Sequence, residues 1–185
     1  MGQQTEKLFE RAKVNLDEDN HENALRLFNE VLNREPSHKK ALRSKGLIKV
    51  LNNSAEEAEE FLLFAIEQQP EDDHLYQMLG TLYHNNEEPT KALEQFKKAV
   101  ELNDSNAIAH QGLGMIYAQI FGEHQQAITH FNKSIEGNSN KAEIFFNRGC
   151  SYMLMEERAK AKEDFRKASD LGHTKSREML KKYFD

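Results

Sequence analysis

The sequence predicts an all-α protein built as a stack of five antiparallel helix pairs, and three observations carry that prediction. In a chain of 185 residues, hydrophobic residues make up 38% and charged ones 30%, with only 3 Pro and 9 Gly, a composition usual for helical proteins and poor for β-rich ones. A self-similarity recurs about every 34 residues, the period of a helical-hairpin repeat. Within each period, two apolar stripes at helical spacing are separated by a short polar turn.

The clearest unit is residues 73–106. Leu75, Leu79, Leu82 and Tyr83 form its first stripe, and Ala92, Leu93, Phe96 and Val100 its second, with Ala99 between. Stepping back one period gives residues 39–72 with Gly46, Ala58, Leu62, Ala65 and Pro70. A second step gives 5–38 with Ala12, Ala24, Phe28, Val31 and Pro36. Stepping forward gives 107–141, where Leu113-Gly114-x-x-Tyr117 is followed by Ala127 and Phe131, and then 142–173 with Gly149-x-x-Tyr152, Ala161, Phe165 and Ala168. One extra residue falls in the turn between Gln119 and Glu123, where a loop insertion costs little. Residues 174–184 place Met179, Leu180 and Tyr183 on one helical face among Lys175, Arg177, Lys181 and Lys182. Such a helix caps the apolar face that a last hairpin leaves bare. Helix starts are signalled by Asn20, by Pro89 and by a capping box Ser54-x-x-Glu57.

Gly46, Gly80, Gly114 and Gly149 lie inside predicted helices, where each costs roughly 1 kcal/mol against Ala. Close helix approach must offset that cost. The small residues Ala24, Ala58, Ala92, Ala127 and Ala161 on the second helices are the expected partners, and Gly80→Leu is expected to force its hairpin apart.

Gly-x-x-Tyr followed by Ala, Phe and Ala at fixed offsets resembles the tetratricopeptide repeat family, over residues 5 to 172. Arg11 and Lys45 replace the family's Leu, Asn15 and Lys49 its aromatic, and His110 a large apolar residue. The resemblance implies a right-handed superhelical solenoid whose first helices line a concave groove for a protein or peptide segment. Carried over position by position, the groove residues are Phe9 and Lys13; Lys40, Arg43, Leu47 and Val50; His74, Gln77, Thr81 and His84; Gln111, Met115 and Gln119; and Glu143, Phe146, Asn147, Cys150 and Leu154. Lys13, Lys40 and Arg43 make one end basic, and Met115, Phe146, Cys150 and Leu154 make the other apolar, which suits an extended segment with an acidic end and a hydrophobic anchor. The alternative reading is that Leu47 and Phe146 are ordinary core and the charges a solvated face. Some family members clamp a peptide carboxylate with Lys and Asn residues; here Asn147 matches the middle Asn, but Gln111 and Met115 stand where the preceding Lys and Asn are expected, so that clamp is absent.

Other chemistries find no support in the residues. The formal charge of -6 argues against a nucleic-acid or anionic-membrane surface, which needs a basic excess. No apolar run approaches a membrane span, and Met1 to Glu6 lacks a signal-peptide core; Gly2 lacks the Ser or Thr an acylation signal wants at Glu6. With Cys150 the single cysteine, a reducing compartment, the cytoplasm, is expected. The stretch Ala168 to His173 is similar to helix ends of some bacterial repeat proteins, hinting at a bacterial source. None of the 8 histidines has another three to five residues away, so no metal site is expected. Asp17-x-Asp19-x-His21-x-Asn23 imitates a calcium loop, but Glu22 and Phe28 occupy the places of its Gly and bidentate Glu. No base is predicted beside Cys150, no phosphate loop or nucleophile elbow occurs, and the runs around Glu57 and Glu87 read as solvated faces.

The expected function is therefore a non-catalytic protein-interaction scaffold that uses no cofactor. Two alternatives stand beside it: a self-associating structural protein, with Tyr183 and Phe184 as contacts, or a non-catalytic accessory subunit of a larger assembly.

Overall fold

The computed structural model describes residues 2–52, 55–137 and 141–184, and among these every regular element is helical. In chain order they are α1 (Gly2–Asp17), α2 (His21–Arg34), α3 (Lys39–Leu51), α4 (Ala55–Gln68), α5 (Asp73–Asn85), α6 (Pro89–Leu102), α7 (Ala107–Ile116), α8 (His124–Glu136), α9 (Ala142–Leu154), α10 (Arg158–Asp170) and α11 (Thr174–Tyr183). Consecutive helices pair as α1/α2, α3/α4, α5/α6, α7/α8 and α9/α10, and each hairpin packs on the next. First helices also touch successive first helices, α3 on α5 and α5 on α7. The architecture is the superhelical solenoid of antiparallel helix pairs that the repeat implies. A buried layer runs from Leu42 through Leu79, Phe96 and Phe131 to Ile144, and a second, from Leu8 to Ile48, lies under the first hairpins. Leu32 packs against both.

Helix starts follow the local chemistry. Asn20 accepts from the Asn23 backbone N–H at 3.4 Å, and Pro89 opens α6, where its missing N–H leaves nothing unsatisfied. His38, Asp72, Asn106 and His173 cap α3, α5, α7 and α11 through their side chains. The expected capping box begins at Ser54, outside the described residues.

The helix glycines work differently from the expectation. The Ala residues of the second helices are fully buried, but the nearest neighbours of the glycines are larger. A Cβ on Gly80 would lie 2.7 Å from Phe96 Cδ1, one on Gly114 2.6 Å from Phe131 Cε1, one on Gly149 2.9 Å from Phe165 Cε1, and one on Gly46 3.0 Å from Leu62 Cδ2. The glycines make room for a large side chain one helix across. Burying a Phe side chain gains about 1.5–3 kcal/mol, more than the roughly 1 kcal/mol that glycine costs the helix.

The extra residue also sits elsewhere than expected. Rather than lengthening a loop, it is absorbed in a π-helical turn at Tyr117–Phe121 that continues α7, since a wider turn accommodates one additional residue without breaking the helix. Gly122, at φ 68°, ends it in the left-handed region. The same sharp turn between first and second helices is made by Asp19, Glu87 and Glu156, all at positive φ although none is glycine.

Polar ties reinforce the stack. Asp73 accepts from Asn103 Nδ2 at 3.0 Å and Asn106 Nδ2 at 2.8 Å. Burial opposes its charge, but these donors, with His74, outweigh burial and hold the carboxyl below its ordinary range. Ser134 donates to the Ala107 carbonyl at 2.7 Å.

Candidate partner-binding site

The residues assigned to a groove by spacing divide into three groups. The first converges on clefts between successive first helices. Thr81 and His84 of α5 meet Gln111 and Met115 of α7 around a cleft of ≈ 200 Å³, completed by Phe96, Gly112, Lys141 and the exposed Ile108. Gln119 of the π turn meets Phe146, Asn147, Cys150 and Leu154 of α9 around another of ≈ 250 Å³. Leu154 is 68% exposed, a large apolar side chain left to solvent beside a cleft wall, and burial pushes the Cys150 thiol up to about 11. That thiol stays protonated near neutral pH and lines the cleft wall.

The second group is withdrawn into the chain's own structure. Phe9 is 4% exposed and lies in the buried layer under the first hairpins, against Phe28 and His38. It is core, because α1 turns this aromatic inward on Phe28 of α2 and on His38. Val50 packs against the main core. Gln77 is buried, its amide donating to Thr81 Oγ1 at 3.2 Å. Arg43 is not a free groove cation: its Nε donates to both Asp72 oxygens at 2.9 and 2.7 Å, and its Nη2 to one at 2.5 Å. The Asp72 side chain is fully buried, so the pair is an internal tie between α3 and the start of α5. The basic end is thereby largely neutralised within the chain, with Lys40 also 3.9 Å from Glu6.

The third group, Lys13, Leu47 and Glu143, is exposed and lines neither cleft. His74 is half-exposed and bonded to Asp73 at 3.0 Å. Phe146 stands between readings: it lines the second cleft while its ring centroid lies 5.9 Å from Phe165 and 4.3 Å from His173. At the C-terminal end Phe184 packs on Phe165 beneath Arg158 and Lys162, so of the two residues expected at a self-association surface only Tyr183 is exposed.

Several arrangements were not visible in sequence spacing. His110 and His130, twenty residues apart, meet with Nδ1 atoms 2.9 Å from each other. Because His110 Nε2 bonds the Asp104 carbonyl at 3.0 Å, it must donate there, leaving His110 Nδ1 to accept from His130. Burial first, then the charges of His110, Lys133 and Lys97, hold His130 down to about 4. Asp72, Asp73 and His74 bring three ligand atoms within 4.8 Å of one another, but the hold of Arg43 on Asp72 and of Asn103 and Asn106 on Asp73 commits their oxygens to protein partners. Two larger clefts, of ≈ 430 and ≈ 420 Å³, lie on α2, α3 and α4 and share no residue with the groove.

A helical-repeat array with side chains gathered between its first helices is the class of protein these features define. The family model described as Psidin, N-terminal TPR repeats region, matches residues 14–184, and the chain belongs to that tetratricopeptide-repeat family. Among curated relatives, it is 30% identical over 118 residues to Anaphase-promoting complex subunit 3 of Schizosaccharomyces pombe, covering 64% of this chain and 18% of that protein. The chain thus spans under a fifth of the length of that relative. Among solved structures, it is 28% identical to YrrB, described as a TPR protein with an unusual peptide-binding site, with a TM-score of 0.69 and coverage of 94% of this chain and 90% of that one. Pseudomonas aeruginosa pilF shares the fold with a TM-score of 0.82 at 17% identity, covering 95% of this chain and 80% of that one. Among the described residues, no helix is long and apolar enough to cross a membrane.

Proposed function

We propose that the chain is a non-catalytic scaffold that holds an extended or helical segment of a partner protein along the clefts between α5, α7 and α9. One observation carries the reading: positions chosen only by repeat spacing on three successive first helices line two clefts between those helices. The walls are mixed, with Met115, Ile108, Phe146 and Leu154 supplying apolar contact and Gln111, Thr81, Gln119 and Asn147 supplying hydrogen-bonding groups. That is the composition of a surface that reads a peptide through a few apolar anchors and backbone-directed polar groups. The peptide-binding site named for YrrB, which shares this fold at 28% identity, supports the same use.

Selection of a displayed library of short random peptides on the full chain tests it, beside a Met115→Glu, Leu154→Glu variant. Leu154 is exposed and Met115 partly buried against the core, so a melting curve of the variant first establishes that its fold is intact. A set of the peptides that bind wild type is expected to lose roughly tenfold or more in affinity against the variant, because each charge must be desolvated in an apolar contact. Equal affinity of every selected peptide for both proteins would place the binding surface elsewhere.

A further inference from the structure

Lys45 holds a place where a charge needs an explanation. Leu79 and Leu113 stand there in the third and fourth repeats and are buried. In the fifth repeat the place is taken by Arg148, whose Nε and Nη2 reach Asp164 on the facing helix at 2.8 and 2.6 Å, with Nη1 on Asn132 Oδ1 at 2.7 Å. In the second repeat the residue corresponding to Asp164 is Phe61. The Lys45 ammonium lies 4.4 Å from the centre of that ring, and among the described residues no carboxylate comes within ion-pairing distance of it. Its neighbour Lys49, which replaces the repeat's aromatic, is paired with Glu57. Burial, and then the charge of Lys49, lower the pKa of Lys45 from its ordinary value, so the cation gains from any anion brought to it.

The lysine stands in an open cleft. Leu32 and Asn33 of α2, Pro36 after it, and Phe61 and Phe64 of α4 surround Lys45 in a space of ≈ 430 Å³. The neighbouring ≈ 420 Å³ space, which shares Lys45, Phe61 and Phe64, leads to Lys49, Glu57 and Glu60. Phe64 is 43% exposed, and its ring centroid lies 6.3 Å from that of Phe61. The cleft is therefore apolar along its wall, cationic at Lys45 and bounded at its far end by the Lys49–Glu57 pair and Glu60.

We propose that this cleft is a second docking site, for a protein segment that carries an Asp or Glu side chain beside a large apolar one. The carboxylate takes the place at Lys45 that Asp164 fills for Arg148, and the apolar side chain lies on Phe61 and Phe64. With Glu57 taken up by Lys49, Glu60 repels an acid at the other end, so charge complementarity fixes which way the segment lies.

The peptide library supplies the test. Peptides enriched on the full wild-type chain are made with blocked termini, so that the only carboxylates are side chains, and are titrated into the nitrogen-15-labelled protein. One set among them, distinct from the groove binders, pairs Asp or Glu with a large apolar residue and shifts the amides of Leu32, Lys45, Phe61 and Phe64. Exchange of the peptide acid for its amide, read on wild-type protein, should weaken binding roughly tenfold, the value of one charge-assisted contact. Lys45→Met, close to lysine in shape, should do the same, whereas Met115→Glu, Leu154→Glu should leave these peptides unaffected, separating this site from the groove. The proposal is overturned if no peptide shifts those amides, if the amide-for-acid exchange costs nothing, or if Lys45→Met binds as wild type does.

Discussion

Gly80 of α5 faces the ring of Phe96 on α6 so closely that a Cβ at Gly80 would fall 2.7 Å from Cδ1, and Gly112 of α7 closes on the opposite edge of the same ring, 2.4 Å from Cε2 by the same construction. The ring cannot yield to either side. Gly80→Ala gains about 1 kcal/mol of helix propensity but overpacks a buried site at a cost of about 1–3 kcal/mol. A net loss is expected, seen as a lower midpoint in urea. In a Phe96→Leu background the same Gly80→Ala change should become neutral or stabilising, since the obstructing ring is gone. A loss of equal size in both backgrounds would mean that Phe96 is not the obstacle.

Arg148 and Asp164 are a cation and a carboxylate with side chains 19% and 4% exposed. Asp164→Ala strands the guanidinium and should destabilise by about 3 kcal/mol, with Asn132 retaining one contact. Arg148→Met combined with Asp164→Leu should recover most of that loss, because two apolar groups need no counter-charge. Chemical denaturation of the single and double variants measures both.

Arg43→Ala removes the partner of the buried Asp72 carboxylate and should cost about 2–3 kcal/mol. Lys40→Ala, an exposed change of the same charge, should stay within about 0.5 kcal/mol. Melting curves of the two variants distinguish an internal tie from a surface cation; equal and small effects would return Arg43 to the groove.

The His110 and His130 pair gives a pH dependence of defined sign. His130 is held at about 4 in the folded chain, against an ordinary value of 6.5, so between those values the unfolded chain binds more protons. Stability from this group is complete above about pH 6.5 and is lost as pH falls toward 4, by an amount on the order of 2 kcal/mol. His110, also lowered by burial first, acts in the same direction, while Asp104 opposes both shifts. His130→Gln should flatten the fall in melting temperature between pH 6.5 and 4.5 relative to wild type. Parallel curves for the two proteins would assign the acid sensitivity to the carboxylates.

The fold was legible because a repeat states its pattern several times. Leu79-Gly80-x-x-Tyr83 and Ala92, Phe96, Ala99 return with enough fidelity that the departures at Asn15, Lys49 and His110 did not obscure it. The groove was legible only in part, since spacing says which side of a helix a residue is on but not what reaches it. Spacing does not distinguish Phe9, which α2 covers, from a groove residue, nor Arg43, beneath which lies Asp72, the N-cap of α5.

The sequence by itself determined the helix pairs, their order, the turns signalled by Asn20 and Pro89, and the small positions at Gly80, Gly114 and Gly149, because these follow from periodicity and from local backbone chemistry. Only the tertiary structure decided that those glycines receive Phe96, Phe131 and Phe165 and not the alanines, that the extra residue winds into a π turn, and that Arg148 finds a carboxylate where Lys45 finds a ring. Each depends on which side chain the partner helix of the hairpin brings opposite, or on how one helix winds to take in an added residue, and close packing decides that where the periodicity of a single helix does not.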